Sequence, residues 1–430
     1  MTKKFAPILL ATVALVAASC GDDDDASEPD ASEPATSEPA TSEPAGTDPP
    51  ATEPAGTVGG DTTAAPAGDC ALDAPLKIGF AADLGELAAF SDQPGSEAAE
   101  VLVGLVNEAG GVGGLPVEYV VKDIQGDPAA TQRAAQELLD DGVNAIIGPP
   151  FANTGIPLLD TVDGQAPIIY MASTDPQLAD PARGAFLASF SDPVQSAAAA
   201  EFAIAQGLTT AVTFSSADDV YFSGNPAYFA ETFEQAGGTL VQDFSFSLAD
   251  EDFSAQVNEM AGLDPAPQSL FTAMVMPQIA TLLQQMDAAG LGDVTVIGAD
   301  AFDATVVWSA GDVADGVYFA AHTFPSADND VQAFLDAAAA AGAEIETISF
   351  GALASDSVQI LAHAAETACS VDGATLIATI NEISDLAVTT GAVTYAGTNG
   401  VPEKDVAIVT VTGGEPALET TMRPAYIPEP

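Results

Sequence analysis

From residue 76 onward, short apolar segments alternate with longer amphipathic segments, and few long interruptions separate them. Residues 76–81 (LKIGFA) and 117–122 predict buried strands, and residues 91–109 between them predict a helix that ends before Gly110 and Gly111. Strands that alternate with helices usually pair in parallel, because each helix carries the chain back across the sheet. The pattern therefore predicts an α/β fold built on parallel sheets.

The alternation runs in two series, the second starting near residue 192, and this indicates two doubly wound lobes joined by a multi-strand hinge. The predicted strands are 76–81, 117–122, 145–147, 167–171, 211–214, 239–244, 269–273, 294–297, 316–320, 392–395 and 405–412. The predicted helices are 91–109, 128–141, 193–206, 221–235, 277–289, 330–341, 352–369 and 375–383. The first lobe is predicted to comprise residues 70–190 and 322–391, and the second 191–321 and 392–430.

Residues 20–69 contain a Ser-Glu-Pro repeat with proline at every fifth position from 29 to 54. Low hydrophobicity, regular proline and charge of one sign cannot support a packed core, so this stretch predicts a disordered, extended tether. At about 3.1 Å per residue, some fifty residues would span on the order of 100 Å or more.

Residues 1–19 combine a short positive head with an apolar stretch too brief for a permanent membrane helix. This segment resembles a bacterial lipoprotein signal peptide, with acylation of Cys20 anchoring the exported chain to the outer face of the cell membrane. Ala17 stands where such signals usually carry a larger aliphatic residue. An ordinary secretory peptide cleaved near Ala18 is the alternative.

The chain is strongly acidic, with 63 Asp and Glu against 8 Lys and Arg. Such an excess is repelled by phosphate backbones and by anionic lipid headgroups, so nucleic acid is excluded as a partner. Solubility is the simplest explanation of the acidity. We therefore do not assign the acidic character to a specific site.

Cys70 and Cys369 are the remaining cysteines once Cys20 is set aside. In an exported protein, such a pair predicts a disulfide, which would pin the start of the folded region to a late helix. A pair of free thiols is the alternative.

Catalytic and cofactor motifs are absent from the sequence. No lysine follows glycines at phosphate-loop spacing, and the glycines of 110–114 end a helix instead of following a strand. His322 and His363 lack the short spacing of metal ligands, which favours structural roles, with a two-histidine metal site as the alternative. We expect no enzyme activity, no cofactor and no bound metal.

Seven segments between residues 77 and 319 together resemble the type I periplasmic binding proteins, in particular the branched-chain amino acid receptors of ABC transporters. The segments are KIGFAADLGELAAF (77–90), VNEAGGVGGLPVEYVVKDIQGDPAATQRAAQELL (106–139), GVNAIIGP (142–149), APIIYMASTDPQL (166–178), DEDFSAQVNEM (250–260), IGADAF (297–302) and DVADGVYF (312–319). The resemblance covers residues 76 to about 413 and implies capture of a ligand between two closing lobes.

In this family, neutral donors of the first lobe hold the carboxylate of an amino acid. The resemblance places Ser173 and Thr174 at such positions, with Asn153 or Ala152 in the loop after the third strand. The strand-end loops assigned to the cleft contain no basic residue, so a carboxylate would have to be held by uncharged groups.

The second lobe supplies an acid for the ammonium, and the resemblance places Asp300 in that role with Tyr221 closing over the ligand. Phe90 is expected to form an apolar wall. Val275 lies near a position at which the family often has tyrosine, so the pocket is expected to be more apolar than usual. Branched or aromatic amino acids fit this expectation.

The resemblance implies an extracytoplasmic substrate-binding lipoprotein that delivers a small molecule, an apolar amino acid or a similar compound, to an ABC permease. The alternative is a ligand sensor that reports to a signalling partner.

Overall fold

A computed structural model describes residues 70–304 and 310–430 of the chain. The expected signal peptide, the tether and Cys20 lie outside the described residues. The described residues all belong to one compact unit by their internal contacts. Within the described ranges, no helix is both long and apolar enough to cross a membrane.

The described residues form fourteen strands and ten helices. The strands are β1 (Lys77–Ala82), β2 (Glu118–Asp123), β3 (Ala145–Gly148), β4 (Ile168–Tyr170), β5 (Ala185–Leu187), β6 (Thr210–Ser215), β7 (Thr239–Ser245), β8 (Ser269–Thr272), β9 (Thr295–Gly298), β10 (Tyr318–Ala321), β11 (Leu386–Val388), β12 (Gly391–Val393), β13 (Val406–Thr412) and β14 (Glu415–Met422). The helices are α1 (Ala89–Glu108), α2 (Pro128–Asp140), α3 (Ala152–Val162), α4 (Asp192–Ala205), α5 (Val220–Gln235), α6 (Ser254–Met260), α7 (Gln278–Ala288), α8 (Val331–Ala340), α9 (Ile348–Ala368) and α10 (Gly373–Asn381).

The first sheet contains five parallel strands in the order β2-β1-β3-β4-β5. Strands β3 and β4 are buried along their whole length, as expected for parallel strands covered by helices on both faces. Strand order reverses between β1 and β3, and the carboxyl ends of strands at such a point form the usual ligand crevice of α/β folds.

The second sheet has seven strands in the order β14-β13-β10-β9-β8-β6-β7. Strands β6 to β10 pair in parallel, whereas β13 pairs antiparallel with both β10 and β14. The predicted α/β class with two parallel-sheet lobes is confirmed. The antiparallel pairing of strands β13 and β14 at one edge of this sheet was not indicated by the alternation of strands and helices.

The chain passes between the two lobes at three places, after β5, after β10 and after β12. Strands β11 and β12 form a separate two-stranded antiparallel sheet before the last passage. The last passage lies later than residue 391, where the sequence-based boundary was placed. Val393 and Tyr395 belong to the apolar core beneath the first sheet, and the Tyr395 hydroxyl donates to the Leu187 carbonyl at 2.7 Å. The second-sheet strand of this stretch begins only at Val406.

Cys70 and Cys369 are joined by a disulfide, with Cα atoms 5.4 Å apart and a sequence separation of 299. Cys369 ends α9, so the link ties the first described residue to a helix that packs against α1. A link that closes so long a loop removes many conformations from the unfolded chain.

We expect mass spectrometry of an unreduced digest to find the Cys70 and Cys369 peptides linked. Replacing both residues with serine should lower the free energy of unfolding by about 3 kcal/mol in a urea titration. Two free thiols in the unreduced, unfolded protein would contradict this expectation.

Candidate functional site

Residues that follow the carboxyl ends of strands from both sheets meet around a small, partly open cavity. The first lobe contributes Phe90 after β1, Phe151 after β3 and Thr174 after β4. The second lobe contributes Tyr221 after β6 and Asp300 after β9. The cavity holds about 10 Å³, which is room for about one water centre. A larger ligand therefore enters only if the lobes separate.

The apolar side of the cavity is built from aromatic rings of both lobes. The ring centroid of Phe90 lies 6.4 Å from that of Phe151 and 5.6 Å from that of Phe350 on α9. Phe151 in turn lies 5.7 Å from Tyr221, in an edge-on arrangement that aromatic pairs favour. These four rings line the cavity and bring the two lobes into contact.

The polar side of the cavity centres on Asp300, which is 4% exposed and begins a short 3₁₀ turn directly after β9. The Tyr221 hydroxyl donates to one carboxylate oxygen of Asp300 at 2.7 Å and accepts from the Ala301 N–H at 3.1 Å. The Asp300 N–H donates to the Gln195 side chain at 2.9 Å. Tyr221 is held in place because Asp219 caps the start of α5 by accepting from the Tyr221 N–H at 3.0 Å.

His322, for which the sequence analysis favoured a structural role, contacts Asp300 from outside the cavity lining. It follows β10, and its Nε2 lies 3.0 Å from the second carboxylate oxygen of Asp300. Its ring stacks on Phe190 at 4.6 Å, and its Nδ1 has no partner among the described residues. Asp300 and His322 follow β9 and β10, and the pairing of these two strands, which brings the residues together, is seen only in the structure.

Thr174 connects the cavity to a second buried acid, Asp192, at the start of α4. The Thr174 hydroxyl donates to Asp192 at 2.6 Å, and Asn225 and Gln195 donate to the same carboxylate oxygen at 2.8 and 3.0 Å. Burial raises the pKa of Asp192 to about 7, and the negative charge of Asp300 adds to this rise against the hydrogen bonds from Thr174 and Asn225.

The pKa of Asp192 is higher in the folded state than in the unfolded state, so this group adds to the free energy of unfolding when it is protonated. The contribution is fully present below about pH 4 and is lost as the pH rises through about 7. We expect the free energy of unfolding of Asp192→Asn to fall less between pH 5 and pH 8 than that of the wild type. The expected difference is about 2 kcal/mol in urea titrations. Parallel pH profiles for the two proteins would contradict the assignment.

Of the eight ligand-binding residues predicted from sequence, Phe90, Thr174, Tyr221 and Asp300 line the cavity. Ser173 and Val275 are buried but lie outside the cavity lining. Ala152 and Asn153 form the first turn of α3, and the Asn153 N–H donates to the carboxylate of Asp219 from the opposite lobe.

A larger groove of about 430 Å³ lies beside the passages between the sheets and contains Lys404 and Arg423. Both bases are already paired, Lys404 with Asp356 and Arg423 with Glu403 and Asp405. Neither Lys404 nor Arg423 is therefore free to bind a ligand in this groove. Among the described residues, no group of His, Cys, Asp and Glu could hold a metal ion.

Two α/β lobes with a cavity between the carboxyl ends of their strands define a two-lobed ligand-binding protein. The chain belongs to the periplasmic binding protein family, whose family model matches residues 75–415. The members of this family are extracytoplasmic proteins that bind substrates for transport, and the family is not one of enzymes.

The chain is similar to known proteins over most of its length. The Leu/Ile/Val-binding protein BraC3 of Rhizobium johnstonii is 26% identical over 78% of this chain and 91% of its own length. The crystal structure of the leucine-binding protein LivK of Thermotoga maritima has a TM-score of 0.74, with 24% identity over 81% of this chain and 99% of the other.

Two further solved structures are similar in fold. The branched-chain amino acid transporter substrate-binding protein LivJ of Streptococcus pneumoniae, in complex with isoleucine, has a TM-score of 0.73, with 22% identity over 82% of this chain and 100% of the other. A solute-binding protein from R. palustris, in complex with benzoate, has a TM-score of 0.71, with 20% identity over 83% of this chain and 98% of the other.

Proposed function

We propose that this chain is the substrate-binding component of an ABC transporter, which captures an apolar amino acid or a similar small molecule between its lobes and delivers it to a permease. The observation that carries this proposal is the cavity that joins an aromatic wall to the Asp300 carboxylate. The names of the relatives support it, since they describe proteins that bind leucine, isoleucine and valine.

In this proposal, the ligand enters while the lobes are apart, and closure buries it between Phe90, Phe151 and Tyr221. Asp300 holds the ammonium group, because a buried carboxylate with Tyr221 and His322 as donors retains lone pairs for a further donor. Closure changes the orientation of the outer surface of one lobe relative to that of the other lobe. A permease would recognise the closed arrangement.

The proposed site of action is the outer face of the cell membrane. A lipid on Cys20 would hold the protein there, and residues 20–69 would let the lobes reach a neighbouring permease. Mass spectrometry of the N-terminal peptide from protein purified from cells tests the anchor, since an unmodified Cys20 would contradict it.

A thermal-shift screen of amino acids, amines and small organic acids tests the proposal. A compound at one hundred times its dissociation constant stabilises the folded protein by about 2.7 kcal/mol, which is readily measured. We expect at least one apolar amino acid or close analogue to raise the melting temperature. Uptake of that compound should be lost on deletion of the gene, and unchanged uptake would contradict the transport role.

A further inference from the structure

Asp300 is the only charged side chain among the described residues that line the cavity. The six Lys and Arg of the described part all lie elsewhere, at Lys77, Lys122, Arg133, Arg183, Lys404 and Arg423. Residues 305–309, which the structure does not describe, contain no charged side chain. The cavity therefore presents negative charge and offers no base to a ligand carboxylate.

The hydroxyl groups that line the cavity have already donated their hydrogens within the protein. Ser91 donates to the Ala88 carbonyl at 3.1 Å, Thr174 donates to Asp192 at 2.6 Å, and Tyr221 donates to Asp300 at 2.7 Å. Each of these hydroxyls has one hydrogen to give. A ligand carboxylate would have to break one of these bonds to gain a side-chain donor.

The first turn of α3 is another place where a carboxylate could bind, because N–H groups at a helix start attract anions. In this structure the Asn153 N–H of that turn donates to the carboxylate of Asp219, which also caps α5. The protein's own carboxylate thus faces this helix start from the opposite lobe. An anionic ligand group would be repelled there.

His322 does not cancel the charge of Asp300. Its buried Nδ1 has no partner among the described residues, so a second ring proton would create a buried N–H without an acceptor. The neutral ring that donates from Nε2 to Asp300 fits this geometry.

The aromatic rings add to the attraction for a cation. Phe90, Phe151, Phe350 and Tyr221 line the same cavity as Asp300, and ring faces attract ammonium groups once water is excluded. We propose that this cleft recognises the ammonium group of an apolar amine and does not require a carboxylate. This inference rests on the proposed function and assigns its substrate class as apolar primary amines, with the matching amino acids tolerated.

Isothermal titration calorimetry of the full chain with three matched compounds tests this inference. L-Leucine carries both charged groups, 3-methylbutylamine lacks the carboxylate, and 4-methylpentanoate lacks the ammonium. We expect the amine to bind at least as tightly as L-leucine and 4-methylpentanoate to bind about 100-fold more weakly than the amine.

Two results would overturn the inference. The first is an amine that binds about 100-fold more weakly than L-leucine, and the second is an acid that binds as tightly as the amine. Either result would leave the proposed capture function intact, because a ligand would still bind. If no compound in this series or in the wider screen bound at all, the proposed function itself would fail.

His322→Gln tests the charge assignment separately, because glutamine keeps an N–H donor and cannot be protonated at neutral pH. We expect the affinity for 3-methylbutylamine to stay within about threefold of the wild-type value between pH 6 and pH 8. A gain of about tenfold or more would show that a charged His322 compensates Asp300 in the wild type, and a loss of that size would show that His322 itself is needed. Both results contradict the assignment. A melting curve checks that the variant folds, and the matched compounds test the wild type independently.

Discussion

Replacing Asp300 with asparagine is expected to weaken binding of an amine or amino acid ligand by about thirtyfold or more. Loss of a buried, hydrogen-bonded charge partner costs about 2 kcal/mol or more, which corresponds to this change in the dissociation constant. The asparagine side chain keeps the size of Asp300 and can still accept a hydrogen bond from Tyr221. Calorimetry with L-leucine and 3-methylbutylamine measures the effect.

Asp293→Asn is the matched control for this experiment. Asp293 is exposed and lies just before β9, whereas Asp300 follows the opposite end of the same strand. Both substitutions remove one negative charge from the same lobe, so the control separates a local contact from the general acidity of the protein. Equal affinities for the two variants would contradict the role of Asp300.

Replacing Lys404 with methionine is expected to lower the free energy of unfolding by about 3–5 kcal/mol. The Lys404 ammonium donates to Asp356 at 2.8 Å and to Thr390 at 2.6 Å, and both charged side chains are almost fully buried. Asp356 lies on α9, and Lys404 lies in the last passage between the sheets. The substitution would leave the buried Asp356 carboxylate without a counter-charge.

Lys122→Met provides the comparison for a pair near the surface. Lys122 pairs with Glu137 and Asp141 at 3.3 and 3.0 Å, but those carboxylates are largely exposed to solvent. Its loss should lower the free energy of unfolding far less than the loss of Lys404 in the same urea titration, because solvent screens an exposed pair. Equal losses for Lys404→Met and Lys122→Met would mean that the buried pair does not stabilise the passage between the sheets.

The alternation of apolar and amphipathic segments predicted most of the parallel strands, because buried strands carry a continuous apolar pattern. Helix α3 was missed, since Gly155 and Pro157 lie within it and lower its intrinsic helix propensity. Strand β5 was missed because three residues are too few to show a period. In both cases packing in the folded chain outweighs the local sequence preference.

Thr174 and Asp300 were predicted from their match to the family's positions, and both line the cavity. The pairing of Asp300 with His322 depends on β10 lying beside β9, and sequence order alone does not establish that neighbour relation. The contact of Thr174 with Asp192 depends on how the loop after β4 meets the start of α4. Both contacts connect segments whose relative position is set by the complete fold.

The central claim is that a small ligand is captured between the two lobes with its ammonium group against Asp300. A crystal structure of the protein with 3-methylbutylamine or L-leucine bound tests this claim most directly. We expect the ligand nitrogen within about 3.2 Å of an Asp300 carboxylate oxygen and its apolar part between Phe90 and Phe151. A ligand bound outside the cavity, or one whose nitrogen lies away from Asp300, would contradict the claim.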